Sequence, residues 1–193
     1  MNILAHLSLS AGSNDFLIGN AMGDYVKGEQ IESFPDEIKK GILFHRKIDN
    51  YTDNHPIFKE AVSIFKPSQG HFSGIVVDMI FDHILSRNWL LYHETPLEDY
   101  SKDFYKLVSK RLDLIPKKGK VMIYLMIKNN WLPRYATVAG IGISSSFRGM
   151  SKRSSYENNL FEAYNDYAKN KDIIGPLFFA FWKDIRIESK KCL

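Results

Sequence analysis

The stretch Ile75-Val76-Val77-Asp78-Met79-Ile80-Phe81-Asp82-His83-Ile84-Leu85 decides the reading of this chain. It is apolar nearly all round a helical period, which places it at the centre of a helical bundle. Asp78, Asp82, His83 and Arg87 interrupt the longer apolar run from Ile75 to Leu91, and that density of ionisable groups excludes a membrane span. Asp78 and Asp82 stand four residues apart, so they share one stripe of the helix. A carboxylate buried without a partner is either strongly destabilising or held neutral, so this pair demands compensation. Metal coordination or catalytic duty would supply it. Ion pairs with Arg46 or Arg87, in a purely structural network, would also do so.

Outward from that helix the periodicity stays helical. Phe16 to Val26 reads as a short helix despite Gly19 and Gly23. Pro35-Asp36-Glu37 opens a helix running through Ile42, His45 and Asp49 towards Thr52, with acids at its N-terminus. Asp53-Asn54-His55-Pro56 reads as a break and a new N-cap, starting a helix through Phe65. The central helix is expected over Phe72 to Tyr92. Further helices are expected over Pro96 to Leu114, Val121 to Trp131 (ending at Pro133), Tyr156 to Asn170 and Leu177 to Lys191. Thr137 to Ile143 suits either a strand or a loose helix start. With no long alternating pattern, the expected fold is all-α, a single domain over residues 1–193.

Composition agrees with that class. The 193 residues are 45% hydrophobic and 25% charged, which argues against disorder or collagen-like repeats. Cys192 is the only cysteine, so neither an intrachain disulfide nor a Cys-rich zinc site is available. No Lys or Arg precedes Lys27, and the start lacks the pattern of a secretory signal. A soluble, cytoplasmic protein is the expectation, with no membrane partner. The formal net charge of +4 is unevenly spread: residues 1–100 carry 8 basic and 14 acidic groups, whereas residues 101–157 carry 12 basic and 3 acidic. An acidic half rich in Asp and His, followed by a basic belt, suggests metal in one place and an anionic partner in another.

Two further pairs of metal-capable side chains share the i, i+4 spacing: Asn20 with Asp24, and His45 with Asp49, the latter row extended by Asp53. Oxygen and imidazole groups projecting inward from several helices are how bundle metal sites are built. The bland alternative for His45 and Asp49 is a satisfied core pair neutralised by Arg46 and Lys47. His55 suits a cap before Pro56, His6 suits core packing or a supporting role behind a metal ligand, and His71 and His93 suit helix ends. In the belt, Lys118, Lys120 and their neighbours need no function beyond solubility. Arg134 and Arg148 differ, because Gly140, Gly142 and Gly149 permit close approach of a ligand and a guanidinium fork suits phosphate. No Walker loop, dinucleotide fingerprint, zinc-protease helix or nucleic-acid module is present.

The blocks Met1-Asn2-Ile3-Leu4-Ala5-His6-Leu7, Gly19-Asn20, Gly23-Asp24-Tyr25-Val26-Lys27-Gly28, Gly41-Ile42, His45-Arg46-Lys47-Ile48-Asp49, Thr52-Asp53-Asn54-His55-Pro56 and Asp78 with Asp82-His83 resemble, in order, the acyl carrier protein phosphodiesterases. A weaker echo runs from Trp131-Leu132 and Arg134-Tyr135 through Gly140-Ile141 to Gly149-Met150 and Arg153. The resemblance implies a helical hydrolase distantly related to HD-type metal phosphohydrolases. Such enzymes remove 4′-phosphopantetheine from holo-acyl carrier protein and depend on Mn²⁺ or Mg²⁺. Here His never immediately precedes Asp; the nearest approach to that motif is the reversed Asp82-His83.

On that resemblance Asp24, His45, Asp49, Asp78 and Asp82 are expected to hold one or two ions. His83, with Asp82 and Asp78, is expected to serve catalysis by passing a proton to the departing serine oxygen. His6, Asn20, Asp53 and His55 are expected in supporting positions. Arg46, Lys118, Lys120, Arg134, Arg148 and Arg153 are expected to meet phosphate or the acidic carrier protein. Two rivals share parts of the pattern. One is an HD-like phosphohydrolase of a nucleotide or other small phosphoester; the other is a non-catalytic helical module binding nucleic acid. For the phosphodiesterase no nucleic-acid partner is expected.

Overall fold

The computed structural model describes residues 1–136 and 141–193, and among these every regular element is helical. The apolar stretch around Asp78 and Asp82 is α5 (Ser73–Arg87), and from Val76 to Ser86 only Asp78 escapes burial. Around it pack α4 (Pro56–Gln69), α1 (Ile3–Leu9) and α10 (Ala163–Cys192). The second layer pairs α2 (Asn14–Ala21) with α3 (Asp36–Asn54). That pairing is backbone to backbone: a Cβ on Gly19 would lie 2.2 Å from the Ile38 carbonyl oxygen, and one on Gly41 2.1 Å from that of Phe16. No side chain fits there, so both positions require glycine. The close crossing presses the end of α2 against the face of α3 that carries His45 and Asp49.

The remaining wall comprises α6 (Leu97–Ser109), α7 (Lys117–Lys128), α8 (Trp131–Arg134) and α9 (Ile141–Arg153). The all-α, helical expectation holds. No helix among the described residues is long and apolar enough to cross a membrane.

Several boundaries differ from the periodic reading, each for an identifiable reason. α1 is not announced by periodicity; Asn2 starts it, its side chain accepting from the Ile3 N–H. α2 begins early, on a Ser13 cap, and stops at Ala21; Asp24 lies beyond it in a 3₁₀ turn, Gly23–Tyr25. The expected helix up to Pro133 breaks instead at Asn130, whose φ of 48° is left-handed. Pro133 then falls in the first turn of α8, where a missing N–H loses no helical bond. The two helices expected at the C-terminal end are one, continuous through Gly175-Pro176. Ile174, Phe178, Phe181, Trp182 and Ile185 form one buried stripe across that proline, and their packing outweighs the lost hydrogen bond. Of the undecided stretch Thr137 to Ile143, residues 137–140 lie outside the described residues and Ile141 opens a helix.

Candidate active site

Four elements converge on one polar cluster. α3 presents His45 and Asp49 on the same face, one turn apart. α1 contributes His6, and the 3₁₀ turn Gly23–Tyr25 contributes Asp24. His45 Nε2 lies 3.1 Å from Asp49 Oδ2 and 3.3 Å from Asp24 Oδ1. His6 Nε2 lies 2.9 Å from Asp49 Oδ1, and the two imidazoles stack at 3.8 Å and 12°. Ligand atoms of His6, His45 and Asp49 all fall within 4.8 Å of one another, a donor set able to hold a metal ion. Gly23 makes room for this: a Cβ there would sit 2.3 Å from His45 Cγ.

A backbone contact holds the His45 imidazole in place. His45 Nδ1–H donates to the Asn20 carbonyl at 2.8 Å, which points Nε2 at the two carboxylates. The Asn20 side chain does not enter the cluster. It donates to the His6 carbonyl at 2.7 Å and to Ser10 Oγ at 2.6 Å, tying α1 to α2. Burial opposes charge on His45, but Asp24 and Asp49 outweigh it and hold the imidazolium up to about 9. Burial pushes His6 down to about 4, so it stays neutral at pH 7. For Asp49, burial is again the largest influence but is overcome by hydrogen bonds from His45 and His6, which hold the carboxyl far below its usual range. The His45 hydrogen bond likewise lowers Asp24.

Asp78 borders this cluster. Its Oδ1 is 3.5 Å from the Met1 amino group, which also lies 3.0 Å from Asp49 Oδ1. Asp78 Oδ1 is buried and, among the described residues, has no hydrogen bond beside that ion pair, and burial raises the Asp78 carboxyl to about 6. Asp53 is exposed, within electrostatic reach of the same amino group.

Asp82 goes elsewhere. It is fully buried, and both its oxygens accept from the first turn of α1, Oδ2 from the Leu4 N–H and Oδ1 from the Ala5 N–H, each at 2.9 Å. A helix N-terminus therefore compensates this carboxylate. Among the described residues neither Arg46 nor Arg87 pairs with either α5 carboxylate; Arg46 donates to the Val26 carbonyl at 2.9 Å. His83 is also outside the cluster. It is buried, its Nδ1 hydrogen-bonded to the Tyr135 carbonyl, with Tyr164 and Tyr167 edge-on to its ring. His55 caps α4, accepting from the Ile57 N–H, and its Nε2 is 3.5 Å from Asp184.

Two adjoining cavities open on the site. One of about 100 Å³ is lined by His6, Asp24 and His45; another of about 490 Å³ is lined by Asp78, Arg134 and Arg153. Asn2, Trp131 and Tyr135 line both. Lys118 and Lys120 are exposed on α7, and Arg148 points outward from α9, away from both cavities. Asn2, Ser145 and Ser146 also stand on the walls, although none was expected there from sequence. Only for Asn2 was there a signal, a capping residue ahead of an apolar stretch.

Fold and site together define an all-helical protein with a half-buried imidazole–carboxylate cluster at the edge of a cleft. The profile described as acyl carrier protein phosphodiesterase matches residues 1–185, so the chain belongs to the acyl carrier protein phosphodiesterase family. Among its relatives, an acyl carrier protein phosphodiesterase of Enterobacter sp. (strain 638) is 30% identical over 191 residues, covering 98% of both chains. Proteins of the same name are 31% identical in Yersinia enterocolitica and 32% identical in Escherichia coli O6:H1, each over 183 residues and 94% of both chains. No solved structure matches the chain significantly.

Proposed function

We propose that this protein hydrolyses the phosphodiester joining 4′-phosphopantetheine to a serine of holo-acyl carrier protein, releasing 4′-phosphopantetheine and the apo carrier. The observation that carries the reading is the His6–His45–Asp24–Asp49 cluster beside a cleft, in a chain whose relatives, matched over nearly their full length, are named acyl carrier protein phosphodiesterase. Mn²⁺ or Mg²⁺ fits the residues present. With Nδ1 committed to a carbonyl, His45 Nε2 faces two carboxylate oxygens, an arrangement that needs a cation or a proton between them. Asp24, His45 and Asp49 would hold the ion, with His6 completing the set. When bound, such an ion supplies Lewis-acid activation of water and neutralises charge on the phosphoryl group.

The chain's own residues do the rest. Asn20 fixes the orientation of His45 through its carbonyl. Arg134, held by Ser145 Oγ at 3.0 Å, and the exposed Arg153 place positive charge along the larger cavity, drawing an anionic diester towards the adjoining cluster. His83 is sealed behind Tyr135, so the proton for the departing serine oxygen is assigned to Asp78, which lines that cavity. Lys118 and Lys120 on the outer face of α7 offer an acidic carrier a complementary surface.

Mass spectrometry of holo-acyl carrier protein incubated with the protein and Mn²⁺ tests the reading. Conversion to the apo mass with release of phosphopantetheine supports it. An unchanged holo mass, with free nucleotides or small phosphoesters hydrolysed instead, overturns it.

A further inference from the structure

We propose that the larger cavity, between α5 and the α7–α9 wall, is the binding site for the uncharged pantetheine arm of the substrate; this rests on the function proposed above and extends it.

The two cavities share Met1, Asn2, Met122, Trp131 and Tyr135. A ligand whose phosphate lies at the imidazole–carboxylate cluster therefore has a continuous path into the larger space. At about 490 Å³ that space falls within the roughly 300–1,000 Å³ of pockets that enclose a small organic ligand. Its walls are mixed: Asp78, Arg134 and Arg153 are charged, and the rest of the lining suits an extended chain of amides and methyl groups. Met79, Leu125 and Met150 are apolar, and Asn129, Ser145 and Ser146 offer hydrogen-bonding groups between them. The chain has six methionines, and every one except Met22 lines one or both of these cavities. An unbranched thioether side chain adapts its shape to a flexible ligand.

The inference can be read without metal or turnover, because Trp131 is a built-in reporter. Trp89 and Trp182 are 2% and 1% exposed, whereas Trp131 is half-buried on the wall common to both cavities. The probe is pantetheine itself, lacking the phosphate. The expected result is a saturable change in tryptophan emission that disappears in Trp131→Phe. Gly149→Leu should weaken binding roughly tenfold or more, since even one methylene in a fitted pocket has effects of that order. A Cβ at Gly149 would meet the Arg153 guanidinium, nearest at Nη1, 3.1 Å, the far end of an exposed side chain, so the added bulk lies in the cleft wall and not in the core. The same variant should raise KM for holo-carrier about tenfold while kcat changes less than about threefold. Ser146→Phe, on the same face of α9, is a second obstruction should Gly149→Leu fail to show native helical circular dichroism.

Emission unmoved by millimolar pantetheine, or obstructed variants that bind and turn over like the parent, would overturn the arm site. Loss of the arm site and loss of the activity are distinguishable. Holo-carrier hydrolysed without pantetheine binding leaves the activity standing and removes this site. Pantetheine bound with holo-carrier untouched keeps the site and removes the activity.

Discussion

Asp82→Asn separates a helix cap from a metal ligand. Both Asp82 oxygens accept a backbone N–H from α1 at 2.9 Å, and the side chain is fully buried. Asparagine keeps one acceptor and turns an NH₂ towards the other N–H. One buried donor is left unsatisfied, which costs about 1–3 kcal/mol, and two donors are forced together. Part of this is offset, because asparagine also removes a carboxyl that burial already pushes up to about 7. The net expectation is a loss of about 2 kcal/mol. For a chain of this length each kcal/mol moves Tm by about 2–4 °C, so thermal unfolding should fall by about 4–8 °C.

Calorimetry of the metal-free protein measures that shift, and titration with Mn²⁺ measures stoichiometry. Asp82→Asn should unfold early yet bind Mn²⁺ with the stoichiometry of the parent. A variant with unchanged Tm and lost metal would refute the capping role and return Asp82 to the ligand set.

Other expectations follow from the same geometry. Asp49→Asn removes the group that meets both imidazoles, so Mn²⁺ binding by isothermal titration should drop below detection. Gly23→Ala puts a methyl 2.3 Å from His45 Cγ; the ring must move, costing about 1–3 kcal/mol in thermal unfolding and most of the metal affinity. His93 stacks on Trp89 at 3.8 Å and is pushed down to about 4 by burial, with Arg186 adding to the effect. Its neutral form favours the fold above pH 6.5, and that stability is lost as pH falls towards 4, so His93→Phe should flatten the fall of Tm over this window. Lys118→Glu with Lys120→Glu should raise KM for holo-carrier more than it lowers kcat; a KM insensitive to both mutation and salt would argue against docking on α7.

What the sequence showed about the site depended on whether partners lay on one helix. His45 and Asp49 share a face of α3, so their spacing alone brought them together. Asp24 was legible as a candidate although its helix was not: α2 stops at Ala21, and a 3₁₀ turn delivers the carboxylate. His6 reads as a supporting residue because its partner Asp49 is 43 residues away and nothing local announces the contact. The helical class was readable from periodicity, yet local propensity splits α10 at Gly175-Pro176. The stripe that carries it through becomes visible only against α4 and α5. The Asn130 break shows the converse, a left-handed residue ending a helix that Pro133 was expected to end.

The two α5 aspartates show why the compensating partner was harder to read than the need for it. An apolar helix carrying Asp78 and Asp82 announces that buried negative charge must be balanced. A metal ion, a guanidinium and the positive end of a helix are interchangeable solutions at that level. The structure divides them. Asp82 meets N–H groups 77 and 78 residues away, on a helix so short that periodicity does not announce it. Asp78, one turn earlier, meets only the Met1 amino group, at 3.5 Å, among the described residues, and lines the cleft. The cap and the site are therefore linked: by seating α1, Asp82 positions His6 in the cluster and Asn2 on the wall of both cavities. A defect at Asp82 should then reach catalysis through the position of α1, lowering activity in proportion to the disorder of that helix while Asp24, His45 and Asp49 still bind metal at the stoichiometry of the parent.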